Sequence, residues 1–289
     1  MEEALPQIGI PKISIDELQK YNPVRKLGHG CFGEVWLVQH NKTEKFFARK
    51  TISRLASNDP FNEIRIAGIL GESPYVVKTY GFSQNEENFY VIMEYVAGAK
   101  DLCDCVFKNP TYFQLNPSSF WKVAFGILMG IHHMHQNGVV HGDIKPENVM
   151  VDSDMNTKLI DFNLSLRFAH VLSYTMGTSN YMAPEMAKGT SRDEKIDIWS
   201  FGILLYTILT CSFPSALSST RNCPQEKKQS ILRKLKNLKL DTQFNPFQQM
   251  ATNPELLKIQ QFIMSCLIVN PEKRPSSQDL LNVLNQYIQ

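Results

Sequence analysis

Two hydrophobic periods divide the chain. Between Asn22 and about Val96, apolar residues come in short runs rich in β-branched and aromatic side chains: Val35-Trp36-Leu37-Val38, Lys45-Phe46-Phe47-Ala48 and Phe89-Tyr90-Val91-Ile92-Met93. Runs of this length between turn residues predict strands. One helix is expected among them, opened by Asp59-Pro60, with Ile64, Ala67 and Leu70 recurring at helical spacing. After Asn116 the period lengthens. Pro117 opens a helix whose positions Phe120, Val123, Ile127, Ile131 and Met134 form one stripe, with Gly138 placed to close it. Trp199 to Thr210 is apolar nearly all round, the pattern of a helix buried at the centre of its half. Leu256, Ile259, Ile263 and Leu267 mark another stripe. Ser276, with Asp279 three residues on, caps a last helix facing inward through Leu280, Leu284 and Tyr287. These patterns predict an α+β chain: an extension over 1–20, a small β-rich lobe with one helix over about 21–94, a joint over about 94–98, and a larger, mostly helical lobe over about 99–288.

Composition narrows the environment. Of 289 residues, 43% are hydrophobic and 20% charged, so the chain can build an ordinary core. A net charge of +2 argues against nucleic acid or an anionic membrane surface as an electrostatic partner. Six cysteines (31, 103, 105, 211, 223, 266) are not needed as disulfides in a chain this rich in apolar residues, which points to a reducing compartment. Met1-Glu2-Glu3-Ala4 has neither the basic nor the apolar region of a secretory signal, and Glu2 stands where myristoylation needs glycine. The terminal Gln286-Tyr287-Ile288-Gln289 is not a prenylation box. The longest apolar stretch, Trp199 to Cys211, is too short for a bilayer core of about 30 Å. The expectation is a soluble protein of the cytoplasm or nucleus, without membrane insertion.

Leu27-Gly28-His29-Gly30-Cys31-Phe32-Gly33-Glu34-Val35 spaces three glycines as G-x-G-x-x-G-x-V. Glycine lets a backbone approach phosphate oxygens with no Cβ in the way. Dinucleotide-binding loops use the same three glycines but run from a strand into a helix. Here the residues after Gly33 continue as a strand to His40, so the loop is a hairpin tip, suited to cover nucleotide phosphates. Lys50 ends the run Phe47-Ala48-Arg49-Lys50, and Glu63 lies on the helix that follows. An ammonium facing a cleft needs a carboxylate partner, and Glu63 can orient it toward phosphates.

Further along come His141-Gly142-Asp143-Ile144-Lys145-Pro146-Glu147-Asn148, then Asp161-Phe162-Asn163, then Met182-Ala183-Pro184-Glu185. With these in place the chain from about Tyr21 to Ile288 resembles a eukaryotic-type protein kinase catalytic domain, its motifs in the family's order and spacing. The resemblance implies the bilobal protein kinase fold and transfer of the ATP γ-phosphate, with Mg2+, to serine or threonine hydroxyls of a protein substrate. It implies that Asp143 accepts the hydroxyl proton, that Lys145 steadies the γ-phosphate, and that Asn148 and Asp161 bind the metal. Lys50, paired to Glu63, would hold the phosphates beneath Gly28, Gly30 and Gly33. Val35 and Ala48 would pack the adenine from one side and Met150 from the other, with Leu27 also at the nucleotide. Glu94 and Val96 would offer backbone groups beside Met93, and Asp101 would meet the ribose, although Lys100 reads as one residue extra. The chemistry is consistent with these roles. Charge spread over a phosphoryl group in transfer calls for cations and positioned donors, and Mg2+ is a hard ion that prefers oxygen ligands. Lys145, two places after Asp143, and Gly177-Thr178-Ser179-Asn180-Tyr181 resemble the serine/threonine pattern, with Thr178 expected near Asp143 and Lys145. Glu185 is expected to pair with Arg274, and Asp197 to brace the catalytic loop.

Two positions depart from the family. Gly142 replaces the arginine that clamps a phosphorylated activation loop, so a phosphate at Ser173, Tyr174 or Thr175 would lack its main partner and activity should depend little on it. Asn163 replaces a glycine. Asparagine tolerates left-handed backbone, so the expectation is an intact but stiffer segment. Two other functions are compatible with parts of the pattern. A catalytically weak or inactive pseudokinase, acting as a nucleotide-binding scaffold, fits the two departures but not the joint presence of Lys50, Glu63, Asp143, Asn148 and Asp161. A kinase of small molecules or lipids is opposed by Ala183-Pro184-Glu185 and Arg274. His132, His133 and His135, the Cys103-x-Cys105 pair, Cys31 and the basic run from Lys227 to Lys239 read as structural, packed or solvated residues rather than metal or docking sites.

Overall fold

The computed structural model describes residues 9–30, 33–54, 59, 61–168, 177–190, 193–218, 224–239 and 244–288. The chain forms two compact units: everything up to Ala97 together with Asp161–Asn163, and Gly98–Ile160 together with Leu164 onward.

The first unit is built on a five-stranded antiparallel sheet. Its strands are β1 (Tyr21–Gly30), β2 (Gly33–His40), β3 (Phe46–Ser53), β4 (Thr79–Gln84) and β5 (Asn88–Glu94), in the order β1-β2-β3-β5-β4. Alternation along β3 buries Ala48, Lys50 and Ile52 and leaves Phe47, Arg49 and Thr51 half-buried on the other face. Ile52 joins Ile64, Phe82, Phe89 and Val91 in one core, against which Met93 packs.

The helix of this unit, α2 (Asn62–Leu70), begins later than Asp59-Pro60 implies. Phe61 occupies its N-cap position without a side-chain cap, and its ring packs edge-on against Phe89 at 4.6 Å and Phe82 at 6.2 Å. Burying that ring, rather than a polar cap, sets where the helix starts. Asp59 stays outside it and pairs with Arg65; Pro60 lies outside the described residues. The extension contributes structure too. α1 (Ile15–Leu18) is capped by Ser14, Lys12 forms a parallel bridge to Phe82, and Ile13 N donates to Phe82 O at 2.8 Å. These bonds occupy the outer edge of β4, which would otherwise expose unpaired backbone groups.

The second unit is mostly helical: α3 (Leu102–Lys108), α4 (Tyr112–Leu115), α5 (Pro117–Gln136), α6 (Pro184–Lys188), α7 (Lys195–Thr210), α8 (Pro224–Lys236), α9 (Pro254–Cys266) and α10 (Ser277–Ile288). The predicted stripe of α5 is fully buried, and every residue of α7 from Ile196 to Leu209 is buried, as its all-round apolar pattern requires. Trp121 of α5 stacks on Tyr287 of α10 at 4.7 Å and meets Phe262 of α9 edge-on at 5.5 Å. In α9 the buried face also takes in Phe262 and Cys266. The basic run lies largely on α8, which buries Ile231 and Leu235 and exposes Lys227 and Lys228.

Short strands interrupt this helical unit: β6 (Lys100–Asp101), β7 (Val139–Val140), β8 (Val149–Val151), β9 (Thr157–Leu159) and β10 (Leu166–Arg167), paired as β6-β8-β9 and β10-β7. They matter because His141 to Asn148 is the loop strung between β7 and β8, anchored at both ends.

Candidate active site

In the first unit a buried ion cluster forms around Lys50. Its Nζ lies 3.0 and 2.8 Å from the two carboxylate oxygens of Glu63 and 2.9 Å from Asp161 Oδ1. β3 supplies the lysine, the first turn of α2 the glutamate, and the returning Asp161–Asn163 segment the aspartate. Burial is the largest influence on Lys50 and disfavours its charge, yet Glu63 and Asp161 together outweigh it and raise the pKa above the ordinary lysine value. Burial pushes Glu63 upward and the Asp161 charge adds to this, against the pull of Lys50 and a hydrogen bond from the Phe162 backbone. The two-oxygen contact is that of an ionised pair. One lysine with two carboxylates makes the cluster net anionic, and Asp161 keeps about a third of its side chain exposed (35%). That donor set, hard and net anionic, fits a divalent cation such as Mg2+.

The second unit holds the catalytic loop. Asp197, buried on α7, accepts hydrogen bonds from the backbone N–H groups of His141 (2.8 Å) and Gly142 (2.9 Å), with His135 Nε2 3.0 Å away. This fixes the loop from beneath. Asp143 is held by three donors: Thr178 N–H to Oδ1 at 2.9 Å, Lys145 Nζ to Oδ2 at 2.6 Å, and Asn148 Nδ2 to Oδ2 at 3.2 Å. Lys145 also donates to Thr178 Oγ1 at 2.9 Å. Asn148 spends its amide nitrogen on the Asp143 carbonyl (2.8 Å) as well; its amide oxygen is an acceptor of the kind a hard cation takes. Thr178 stands beside both Asp143 and Lys145, as the sequence predicts.

The sequence profile of the protein kinase domain matches residues 21–285. The chain belongs to the protein kinase family. Among curated proteins, this kinase domain is 30% identical over 285 residues to the serine/threonine-protein kinase cds1 of Schizosaccharomyces pombe, covering 92% of this chain and 58% of that one. It is 32% identical over 204 residues to the SNF1-related protein kinase catalytic subunit alpha KIN12 of Arabidopsis thaliana, covering 68% and 40%. It is also 32% identical over 203 residues to calcium-dependent protein kinase 4 of Plasmodium falciparum, covering 66% and 38%. The kinase domain thus spans roughly half the length of these relatives.

The other residues expected from the sequence at the nucleotide lie as follows. Leu27 and Gly28 lie on β1, Val35 on β2 opposite Lys50, Ala48 buried on β3, and Met93 and Glu94 at the end of β5 with Val96 just beyond. Gly30 and Gly33 pair across the hairpin; Cys31 and Phe32 lie outside the described residues. Gly33 is sterically fixed, since a Cβ there would sit 1.8 Å from the Thr51 carbonyl oxygen. In the second unit Met150 of β8 pairs with Asp101 of β6. Asp101 also caps α3 through Oδ1, which accepts from Asp104 N–H at 2.7 Å.

Gly142 and Asn163, the two positions singled out in the sequence, each have a structural consequence. Gly142 has φ +79°, and a Cβ there would lie 2.8 Å from the Leu164 carbonyl oxygen, so the loop is built around the missing side chain. Asn163 corrects the sequence-based expectation. The left-handed residue is Asp161, with φ +68°, while Asn163 is not among the positive-φ residues. Asn163 acts through its side chain instead: Nδ2 donates to Asp161 Oδ1 at 2.6 Å. Asn62 of α2, which carried no sequence signal, donates to the Asn163 carbonyl at 3.3 Å. Adjacent residues of α2, Asn62 and Glu63, therefore both hold the Asp161–Asn163 segment.

Structural partners fall as the motifs suggest. Arg274 meets Glu185 with two hydrogen bonds of 2.6 and 3.1 Å, both side chains buried, and lies over the Trp199 ring at 5.2 Å. His132 contacts Ser277 Oγ at 3.1 Å. Burial raises the Cys103 thiol to about 11, making it a poor metal ligand or nucleophile at neutral pH.

Proposed function

We propose that this kinase domain is catalytically active and transfers the γ-phosphate of ATP, with Mg2+, to serine or threonine hydroxyls of a protein substrate. The observation that carries the reading is the assembled Lys50–Glu63–Asp161 cluster, in which one ammonium makes three hydrogen bonds to two carboxylates. A scaffold without catalysis has no need to bury a lysine and glutamate together at such desolvation cost. Lys50 is the group to hold ATP phosphates. Asp161 and Asn148 supply oxygen ligands for Mg2+, which when bound neutralises charge on the phosphates.

Asp143 is the proton acceptor. Its three donors hold the carboxylate in a single orientation, so an incoming hydroxyl can pass its proton to a fixed oxygen while its own oxygen bonds to the γ-phosphorus and the bond from that phosphorus to the ADP oxygen breaks, releasing ADP. Lys145, bound to the same carboxylate, brings a positive charge next to where phosphoryl oxygens gain negative charge. Thr178, tied to Lys145 and Asp143, supports the serine/threonine preference. Incubation with radiolabelled ATP and matched serine, threonine and tyrosine peptides, followed by phosphoamino-acid analysis, tests this: label on serine and threonine is expected, and label on tyrosine alone contradicts it.

Activity is also proposed to depend little on activation-loop phosphorylation. Gly142 offers no cation for a phosphate, and Ser173, Tyr174 and Thr175 lie outside the described residues. Replacing all three with Ala, Phe and Ala should lower kcat/KM by less than about tenfold, or about 1.4 kcal/mol of barrier; a larger loss refutes the proposal.

A further inference from the structure

The outer face of the first unit's sheet carries a cavity of about 360 Å³, unrelated to the phosphate-handling residues. Ile15 and Leu18 of α1, Tyr21 of β1, Arg49 of β3, Tyr90 of β5 and Asn85 of the β4–β5 turn line it. The alternation that buries Lys50 turns Arg49 toward this opposite face. Arg49 Nε is buried with no hydrogen-bond partner, and its guanidinium lies 6.0 Å from the Tyr90 ring centre. None of the described residues lining the cavity is acidic. Glu17, the neighbouring acid on α1, is already engaged by Lys20 and lies 3.6 Å from His40. Desolvation by burial lowers the Arg49 pKa below the ordinary arginine value, the sign of a cation short of compensating charge.

A buried Arg49 Nε–H without an acceptor is an unmade charge-assisted hydrogen bond. An anion would make it. A single cation, flanked by neutral amide and phenol groups, matches a monoanion better than a phosphate dianion, and the planar fork matches a carboxylate with two parallel N–H bonds. Ile15, Leu18 and the two tyrosine rings offer apolar surface for the rest of the molecule. The volume lies within the roughly 300–1,000 Å³ of small-molecule sites.

We propose that this cavity binds a small monocarboxylic acid with an apolar body, the carboxylate taken by Arg49 and the body by Ile15, Leu18 and Tyr21. Because Arg49 and Lys50 point to opposite faces of β3, the acid and the nucleotide bind without competing.

Titration calorimetry with naphthoate and its neutral amide, naphthamide, tests the proposal on the purified chain. Naphthoate is expected to bind at least about tenfold more tightly than naphthamide. Arg49→Leu should abolish that preference, and Arg49→Lys should keep part of it. Ile15→Trp fills the cavity from a partly exposed position and should block both probes while leaving the thermal midpoint near that of the wild type. Saturation with a non-hydrolysable ATP analogue should leave naphthoate binding unchanged. No naphthoate binding, equal binding of acid and amide, undiminished preference in Arg49→Leu, or displacement by the nucleotide analogue overturns the proposal. None of these readouts requires phosphoryl transfer, so the site stands or falls apart from the kinase reaction.

Discussion

Asn163 does its work with an amide. Its 2.6 Å bond to Asp161 Oδ1, and the grip of Asn62 on its carbonyl, make a strut between α2 and the Asp161 carboxylate. A hydrogen bond to a charged group contributes about 1.5–3 kcal/mol, so removing the strut should ease the segment out of place. Asn163→Gly is expected to raise affinity for inhibitors that require a flipped-out Asp161-Phe162 by at least about tenfold, or about 1.4 kcal/mol. Unchanged dissociation constants contradict the strut. Gly142 makes the opposite point, because there a side chain is excluded. With φ +79° and the Leu164 carbonyl 2.8 Å from where a Cβ would stand, Gly142→Ala should destabilise the folded chain by about 1–3 kcal/mol. Denaturant unfolding measures this, and a neutral result argues that the loop relaxes freely.

Individual elements carry their own tests. α10 starts with a reciprocal cap: Ser276 N and Oγ donate to Asp279 Oδ2 at 2.9 and 2.6 Å, while Asp279 N–H returns a bond to Ser276 Oγ at 3.2 Å. The Ser276 hydroxyl, then its backbone, hold the Asp279 pKa below its ordinary value of 3.8. An acid with a depressed folded pKa adds stability above its unfolded pKa and loses it as pH falls through the folded one. Because Asp279 is exposed and screened by solvent, Asp279→Asn should cost no more than about 0.5 kcal/mol near neutral pH, with the difference from wild type closing below about pH 3.8. A cost unchanged at low pH contradicts the charged cap. Arg274 ties α6 to the turn before α10 through Glu185. Since Arg274→Ala strands a buried carboxylate, it should cost about 3–5 kcal/mol in the same unfolding assay, and a loss under about 1 kcal/mol contradicts the role.

The long elements were legible because each repeats a period many times: α5 and α7 could be read from buried stripes alone. The start of α2 was not, because the packing of Phe61 against Phe82 and Phe89 is tertiary and leaves no local signal. Strands of two or three residues such as β6 and β7, and four-residue helices such as α1 and α4, are too short to show any period. Lys50, Glu63, Asp143 and Asn148 stand out in the sequence because their motifs resemble those of the protein kinase family in order and spacing. The Asn163 amide and the Arg49 cavity could not, since both depend on where a side chain points.

Taken as a whole, the molecule is a kinase domain of near-neutral charge in which each unit prepares its part of the chemistry. The first fixes Lys50 with two carboxylates, and the second fixes the Asp143 carboxylate with three donors. Among the described residues no helix is long and apolar enough to cross a membrane. The reaction itself is the direct test. Transfer of radiolabelled γ-phosphate from ATP to a serine/threonine peptide mixture should be readily measured for the purified wild type and should fall by about 10²–10⁴-fold in Asp143→Asn. No transfer by the wild type, or equal transfer by the variant, contradicts the account.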